Sequence, residues 1–218
     1  MFRQLLYTQW KWSRLVLLLV VFAGFALPIL SVQDVHPGEL GRFDVQQMLA
    51  SVGAWGILYP ILAAAVALAL ALTTWGPDHR GRHVYALSLP VPRWHYALLR
   101  FGAGCVLLAA PVFAVWLGAL VATSTTHLPP GLEAYPTALA LRFALAALVA
   151  YATFFAISAG TNRTAGVVLA IIGGVVLVQL ILIIANTEVN IVAPLVVRLF
   201  VWPGPLEIFT GRWMLIDV

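Results

Sequence analysis

Two histidines four residues apart, His79 and His83 in "DHRGRH", are the nearest approach in this sequence to a metal site. On one helical face that spacing can hold two zinc ligands. Gly81 lies between them and no third ligand is near, so they read as solvated loop histidines. Ser158 and Thr161 are hydroxyls near a helix end, where such groups more often bond to the backbone than act as nucleophiles. Asn162-Arg163-Thr164 matches a glycosylation sequon but falls in the cytoplasm on the topology derived below. The single cysteine, Cys105, lies in an apolar run and reads as a small packing residue with no disulfide partner in the chain. A phosphate-binding loop needs a lysine after its glycine. The chain has one lysine, Lys11, preceded by Trp10. No nucleotide site, catalytic residue, metal or cofactor is therefore expected in this chain, and ATP-driven work would have to come from another subunit.

The elements around these residues belong to a membrane protein. Hydrophobic residues make up 62% of the chain and charged residues 9%, against roughly 25% charged in soluble domains. A helix crossing the hydrocarbon needs about 20 mostly apolar residues. Five stretches free of ionisable side chains meet that need, and the expected helices lie near 15–33, 52–75, 101–122, 142–160 and 165–185. The first apolar run lacks a small-x-small cleavage site, so no cleavable signal peptide is expected. The expected fold is an all-α, polytopic helix bundle forming one transmembrane domain over 1–218.

Basic residues collect on one side of these spans. Arg3, Lys11, Arg14, Arg80, Arg82, Arg93, Arg100 and Arg163 fall together with a single acid, Asp78. Asp34, Glu39, Asp44, Glu133 and Glu188 fall opposite, beside Arg42 and Arg142. The positive-inside rule then places the N-terminus in the cytoplasm of a cell membrane. Phe2, Leu5, Leu6 and Trp10 recur at helical spacing, so 1–14 is expected to be a separate amphipathic helix in the cytoplasmic interface. Val189–Leu206 is apolar but carries Arg198 and is interrupted by Pro194, Pro203 and Pro205. The segment 188–218 is expected to form short helices or re-entrant structure on the external face rather than a sixth span. Gly102 and Gly104, and Gly166, Gly173 and Gly174, mark helix faces that a second helix can approach closely.

The longest cytoplasmic connector is 76–100, "GPDHRGRHVYALSLPVPRWHYALLR". Val84, Tyr85, Leu87 and Leu89 suit one face of a short surface helix, Pro90 and Pro92 a rigid turn, and Pro92 the first turn of the next helix. Arg93, Trp94, His95, Tyr96 and Arg100 read as an interfacial collar. A stiff basic ledge of this kind can pass a push from a cytoplasmic partner into the membrane.

An acid, a glycine and then Leu-Ser-Leu-Pro-Val-Pro-Arg before the third span, here Asp78, Gly81 and Leu87 to Arg93, resembles the permease subunit of type 2 ATP-binding-cassette (ABC) transporters. Glu is commoner than Asp at the acidic position, and a sixth span usual in that family is not visible before Val218. The resemblance implies an N-terminal connecting helix and a coupling helix docked on a separate ATPase subunit that holds ATP-Mg. An exporter is expected, with a second permease chain, identical or closely related, because five spans make only half of a plausible pathway and isologous dimers are the commonest closed assembly. The expected ATPase contacts are Asp78, Arg80, Gly81, Arg82, Leu87, Pro90, Pro92 and Arg93. A haem-exporter-like B subunit and a non-transporting membrane anchor or assembly subunit are the alternative readings.

Overall fold

The computed structural model describes residues 1–33, 49–50, 52–80, 92–125, 132–159, 162–185, 191–200 and 204–217. They are almost entirely helical. In chain order these are α1 (Phe2–Gln33), α2 (Leu58–Arg80), α3 (Arg93–Thr125), strand β1 (Leu132–Ala134), α4 (Pro136–Ala159), α5 (Asn162–Ile184) and α6 (Val192–Phe200). Two 3₁₀ turns, Glu207–Phe209 and Gly211–Met214, lead into strand β2 (Leu215–Asp217). Among the described residues four helices are long and apolar enough to cross a membrane, Phe2–Val32, Val52–Gly76, Arg93–Thr125 and Pro136–Ala159. The residues group into two units, Met1–Phe155 with Phe209–Val218, and Ala156–Ile208.

The helix boundaries correct the sequence reading in three places. No separate helix occupies 1–14, because α1 runs unbroken from Phe2 to Gln33. No glycine or proline stands between Phe2 and Ala23, so nothing interrupts the hydrogen-bond ladder at the expected boundary. Its 32 residues measure about 48 Å, well beyond a hydrocarbon core of about 30 Å. Likewise α2 runs past its expected end near 75, through Gly76 and Pro77 to Arg80, while the expected surface helix with Val84, Tyr85, Leu87 and Leu89 lies outside the described residues. The third helix starts at Arg93 rather than near Phe101. The Pro92 carbonyl accepts from the amides of His95 at 3.0 Å and Tyr96 at 3.1 Å, so Pro92 caps the helix where its missing N–H costs nothing.

In the first unit, α1 to α4 alternate in direction. Gln9, Thr74, Arg100 and Tyr151 share one end, while Val32, Val52, Tyr59, Ala122 and Leu139 belong to the core toward the other. Burying leucine against leucine gains little in hydrocarbon, so helix contacts there depend on small residues and close packing. The buried stripe of α2 is Ala63, Val66, Ala67, Leu70 and Ala71, each no more than 1% exposed. On α3 it is Ala103, Gly104, Leu107, Pro111, Val115, Gly118, Ala119 and Ala122. Large apolar side chains turn outward instead, among them Leu15, Leu18, Leu19 and Phe22 on α1. A water-soluble surface would not carry that many.

Glycines set the spacing. A Cβ at Gly118 would overlap the backbone carbonyl of Phe25, so α1 and α3 meet there main chain to main chain. Gly24 faces the same seam, where a Cβ would lie 3.1 Å from Val115 Cγ2. The expectation for Gly104 holds: a Cβ there would overlap the Tyr151 hydroxyl and ring, so this glycine admits α4. Gly173 and Gly174 have open space within 4 Å instead.

At the end opposite Arg100, β1 and β2 pair antiparallel, with Leu132 opposite Asp217, Glu133 opposite Ile216 and Ala134 opposite Leu215. The Tyr135 amide donates to the Met214 carbonyl at 2.8 Å. Met214 is buried and Gly211 lies flat on the Tyr59 ring. This strand was not expected in 188–218, whereas short helices were. Beside it Tyr135 donates its hydroxyl to Glu133 at 2.6 Å, and that carboxylate pushes the phenol above its ordinary range.

Within the second unit, Gln179 is a lone polar residue near the end of an apolar helix. Its side-chain oxygen accepts from the amides of Ile191 at 2.9 Å and Val192 at 3.2 Å. It thereby supplies partners for two of the otherwise orphaned N–H groups at the start of α6.

The contrast between two glycines gives a test of this packing. Gly118→Ala will destabilise the protein in detergent by about 1–3 kcal/mol, because neither backbone can give way. Gly173→Ala, in open space, will stay within about 1 kcal/mol of the parent and on the stabilising side. Thermal unfolding followed by circular dichroism reads both.

Candidate functional site

The described residue with the strongest chemistry is one that the sequence places at the surface. Arg100 is only 8% exposed, not part of an exposed collar. The collar splits in two: Pro92, Arg93, Trp94 and His95 are exposed, while Tyr96 and Arg100 turn inward. One helical period explains the split. Tyr96, Arg100, Ala103, Gly104, Leu107 and Pro111 lie on the same stripe of α3, the one that faces the other helices.

Around the guanidinium the partners come from three helices besides its own. One NH group donates to the backbone carbonyl of Thr74 on α2. The Arg100 Cζ sits 4.7 Å from the Tyr96 ring centre and 5.5 Å from that of Trp75, within cation–π range of both. Gln9 on α1 donates its amide to the Thr74 hydroxyl, and that hydroxyl in turn donates to the Leu70 carbonyl at 2.7 Å. Ser13, one turn on, donates to the Gln9 carbonyl at 2.7 Å. From α4 the Tyr151 hydroxyl is buried beside Thr74 and Gln9 without a well-formed hydrogen bond to either.

Aromatic rings close the cluster on its apolar side. Phe101 stacks on Tyr151 with ring centres 5.3 Å apart and planes 18° from parallel. Phe155 meets Phe101 edge-on at 5.3 Å and Trp75 at 5.2 Å. A charged residue inside a membrane helix is expensive, about 2.5–3.5 kcal/mol at the helix centre on insertion scales. The cost is usually met by backbone carbonyls and neighbouring polar groups at the bundle interior. Arg100 has both, together with two ring faces.

A cavity of about 20 Å³ adjoins the guanidinium, lined by Thr8, Gln9, Trp12, Thr73 and Thr74 besides Arg100. That volume suits a single water. The hydroxyls of Thr8, Thr73 and Thr74 all donate to backbone carbonyls, so the oxygens they turn to the cavity are acceptors. Acceptors facing a guanidinium match a water, which can accept a hydrogen bond from the arginine and donate one to a threonine oxygen. An anion would find too few donors there. A second, apolar cleft of about 840 Å³ runs between α3 and α4, walled by Leu108, Phe113, Trp116, Ala140, Leu141 and Leu148. Cys105 lines its rim, half-buried and packed against the core, as a small residue should be.

The expected ATPase contacts are only partly placed. Asp78 and Arg80 fall in the last turn of α2, and Pro92 and Arg93 open α3. Gly81, Arg82, Leu87 and Pro90 lie outside the described residues. What the structure brings together is the pair of helices that this connector joins: Thr74, six residues before the end of α2, bonds to Arg100, seven residues after the start of α3. Among the described residues no group of three or more His, Cys, Asp or Glu side chains could hold a metal. His79 lies in the last turn of α2, and His83 is outside the described residues.

Sequence reasoning missed Gln9, Thr74 and Tyr151 as a group. One signal was present: extending the small-residue stripe of α3 backward from Pro111 and Gly104 lands on Arg100 and Tyr96. No protein-family model matches the chain, and no curated protein or solved structure matches it either.

The network predicts how its members depend on one another. Thr74→Val removes the acceptor of a buried amide and will cost about 1–3 kcal/mol. Adding Gln9→Leu, which removes the stranded amide as well, will recover part of that loss. A double-mutant cycle on unfolding in detergent measures the coupling, and strictly additive losses would show that the two groups do not interact.

Proposed function

We propose that this chain is the membrane-spanning permease subunit of an ABC transporter, an exporter driven by a separate ATPase subunit. In this reading α5 is a fifth crossing, the arginine-rich end faces the cytoplasm of a cell membrane, and ATP-Mg binds only on the partner. Two such permease chains, identical or closely related, assemble with two ATPase subunits, because isologous pairs are the commonest closed assembly. The apolar cleft between α3 and α4 suits amphipathic or lipid-like cargo better than ions.

The observation that carries the reading is the mounting of the connector that bears "LSLPVPR". It leaves α2 and enters α3 at one end of the bundle, and both helices are hydrogen-bonded there to each other and, through Thr74, to α1. A segment mounted this way is suited to receiving a push from outside the membrane. A chain that merely anchors other proteins has no need of such a mounting.

Purification from native membranes is the test, and the expected result is a stoichiometric ATPase subunit with a phosphate-binding loop. Asp78→Ala will weaken that complex by about 2–5 kcal/mol if its carboxylate is a buried contact, a loss of tenfold or more in affinity, while membrane insertion is unchanged. Pro90→Ala with Pro92→Ala will leave the complex assembled and lower the work done per ATP. A homogeneous chain purified without any ATPase would favour the anchoring subunit instead.

A further inference from the structure

The permease reading uses the bond between Arg100 and Thr74 only as part of the connector's mounting, and Arg100 does more than hold helices together. The main-chain contact at Gly118 and the seam at Gly24 already fix α1 against α3 near the opposite end. An apolar side chain at 100 would complete the stripe of α3 at lower cost, since replacing buried charges by apolar residues of similar size is often neutral or stabilising. What a guanidinium adds is geometry. It is planar, with donors in a rigid fork, and here it is held by ring contacts with Tyr96 and Trp75 while one arm reaches the Thr74 carbonyl.

The place of this contact along the helices matters as much. From Arg93 to Arg100 is seven residues, about 10 Å of helix, and from Thr74 to Arg80 is six, about 9 Å. The tie therefore sits about two turns inside the bundle from both ends of the connector. Below it the two helix tips are held as one piece. Thr74 then passes the tie on, because its hydroxyl accepts from Gln9 while donating to Leu70. Gln9 is itself secured along α1 by Ser13.

We propose that Arg100 is a positioning residue for coupling: it locks the base of the α2–α3 connector to α1, so that a displacement of the connector moves all three helices together. This rests on the permease reading above, in which the connector receives the motion of an ATPase. Without the tie, the connector moves the tips of α2 and α3 and leaves α1 behind.

The measurement is a spin-label distance between Tyr7→Cys on α1 and Leu98→Cys on α3, both exposed positions, in the full chain with Cys105→Ala. It is taken in the complex with the ATPase subunit, with and without Mg-ATP and vanadate. The parent should give one narrow distance distribution that shifts when nucleotide is trapped. In Arg100→Gln the resting distribution should be at least twice as wide and the nucleotide-dependent shift should disappear, with ATP hydrolysis within twofold of the parent. Arg100→Lys and Thr74→Val should fall between, and His95→Gln, exposed one turn away, should match the parent. If Arg100→Gln does not fold, Arg100→Lys and Thr74→Val give the same two readouts and decide the matter. A parental shift in these variants would overturn the coupling role while leaving the permease reading intact. A parent that shows no nucleotide-dependent shift, or binds no ATPase, overturns the permease reading and the coupling role with it.

Discussion

Close approach of main chains in a medium that rewards no hydrophobic burial is the constraint on which this bundle rests. At Gly118 the α3 backbone comes against the Phe25 carbonyl with no room for a methyl group. Dispersion falls off within fractions of an ångström, so every contact along α1 and α3 depends on that spacing. The stripes of alanine on α2 and α3 are its extension, and the outward leucines of α1 are its complement. Small residues line much of the seams of α2 and α3, with Leu17, Tyr59, Phe143 and Tyr151 as large side chains buried among them.

Tight packing at one end allows a polar network at the other. Once the seam at Gly24 and Gly118 has brought α1, α2 and α3 together, Gln9, Thr74 and Arg100 stand within hydrogen-bonding reach, and their desolvation is offset by one another. Tyr151 completes the group from α4 because Gly104 gives it room. The same glycine-for-space device thus serves both ends, once for a main chain and once for a ring. Gln179 meets a similar need in α5, where the start of α6 uses its oxygen.

The polar network and the apolar cleft both lie along α3. The connector between α2 and α3 carries Pro90 and Pro92 and is basic in sequence, and the helices at its two ends meet in the polar network. The apolar cleft between α3 and α4 lies along the helix that the network holds. Motion delivered at the connector would reach the wall of that cleft along α3 itself.

Composition and spacing alone determined that this is a helical membrane protein, where its long apolar helices lie and which side of them is basic. These follow from local rules, because about 20 apolar residues must be helical in hydrocarbon. The flanks of the helices were less legible. Reading a span as an uncharged run began it at Leu15 and at Phe101, although the helical backbone is indifferent to Lys11, Arg14 and Arg93 and runs through them. Only the tertiary structure decided that Arg100 is interior, that Gln9 and Thr74 are its companions, and that the C-terminal strand pairs with the segment before α4. Each joins residues from 26 to 85 positions apart. Which face of one helix meets which face of another depends on shapes that exist only after both have formed.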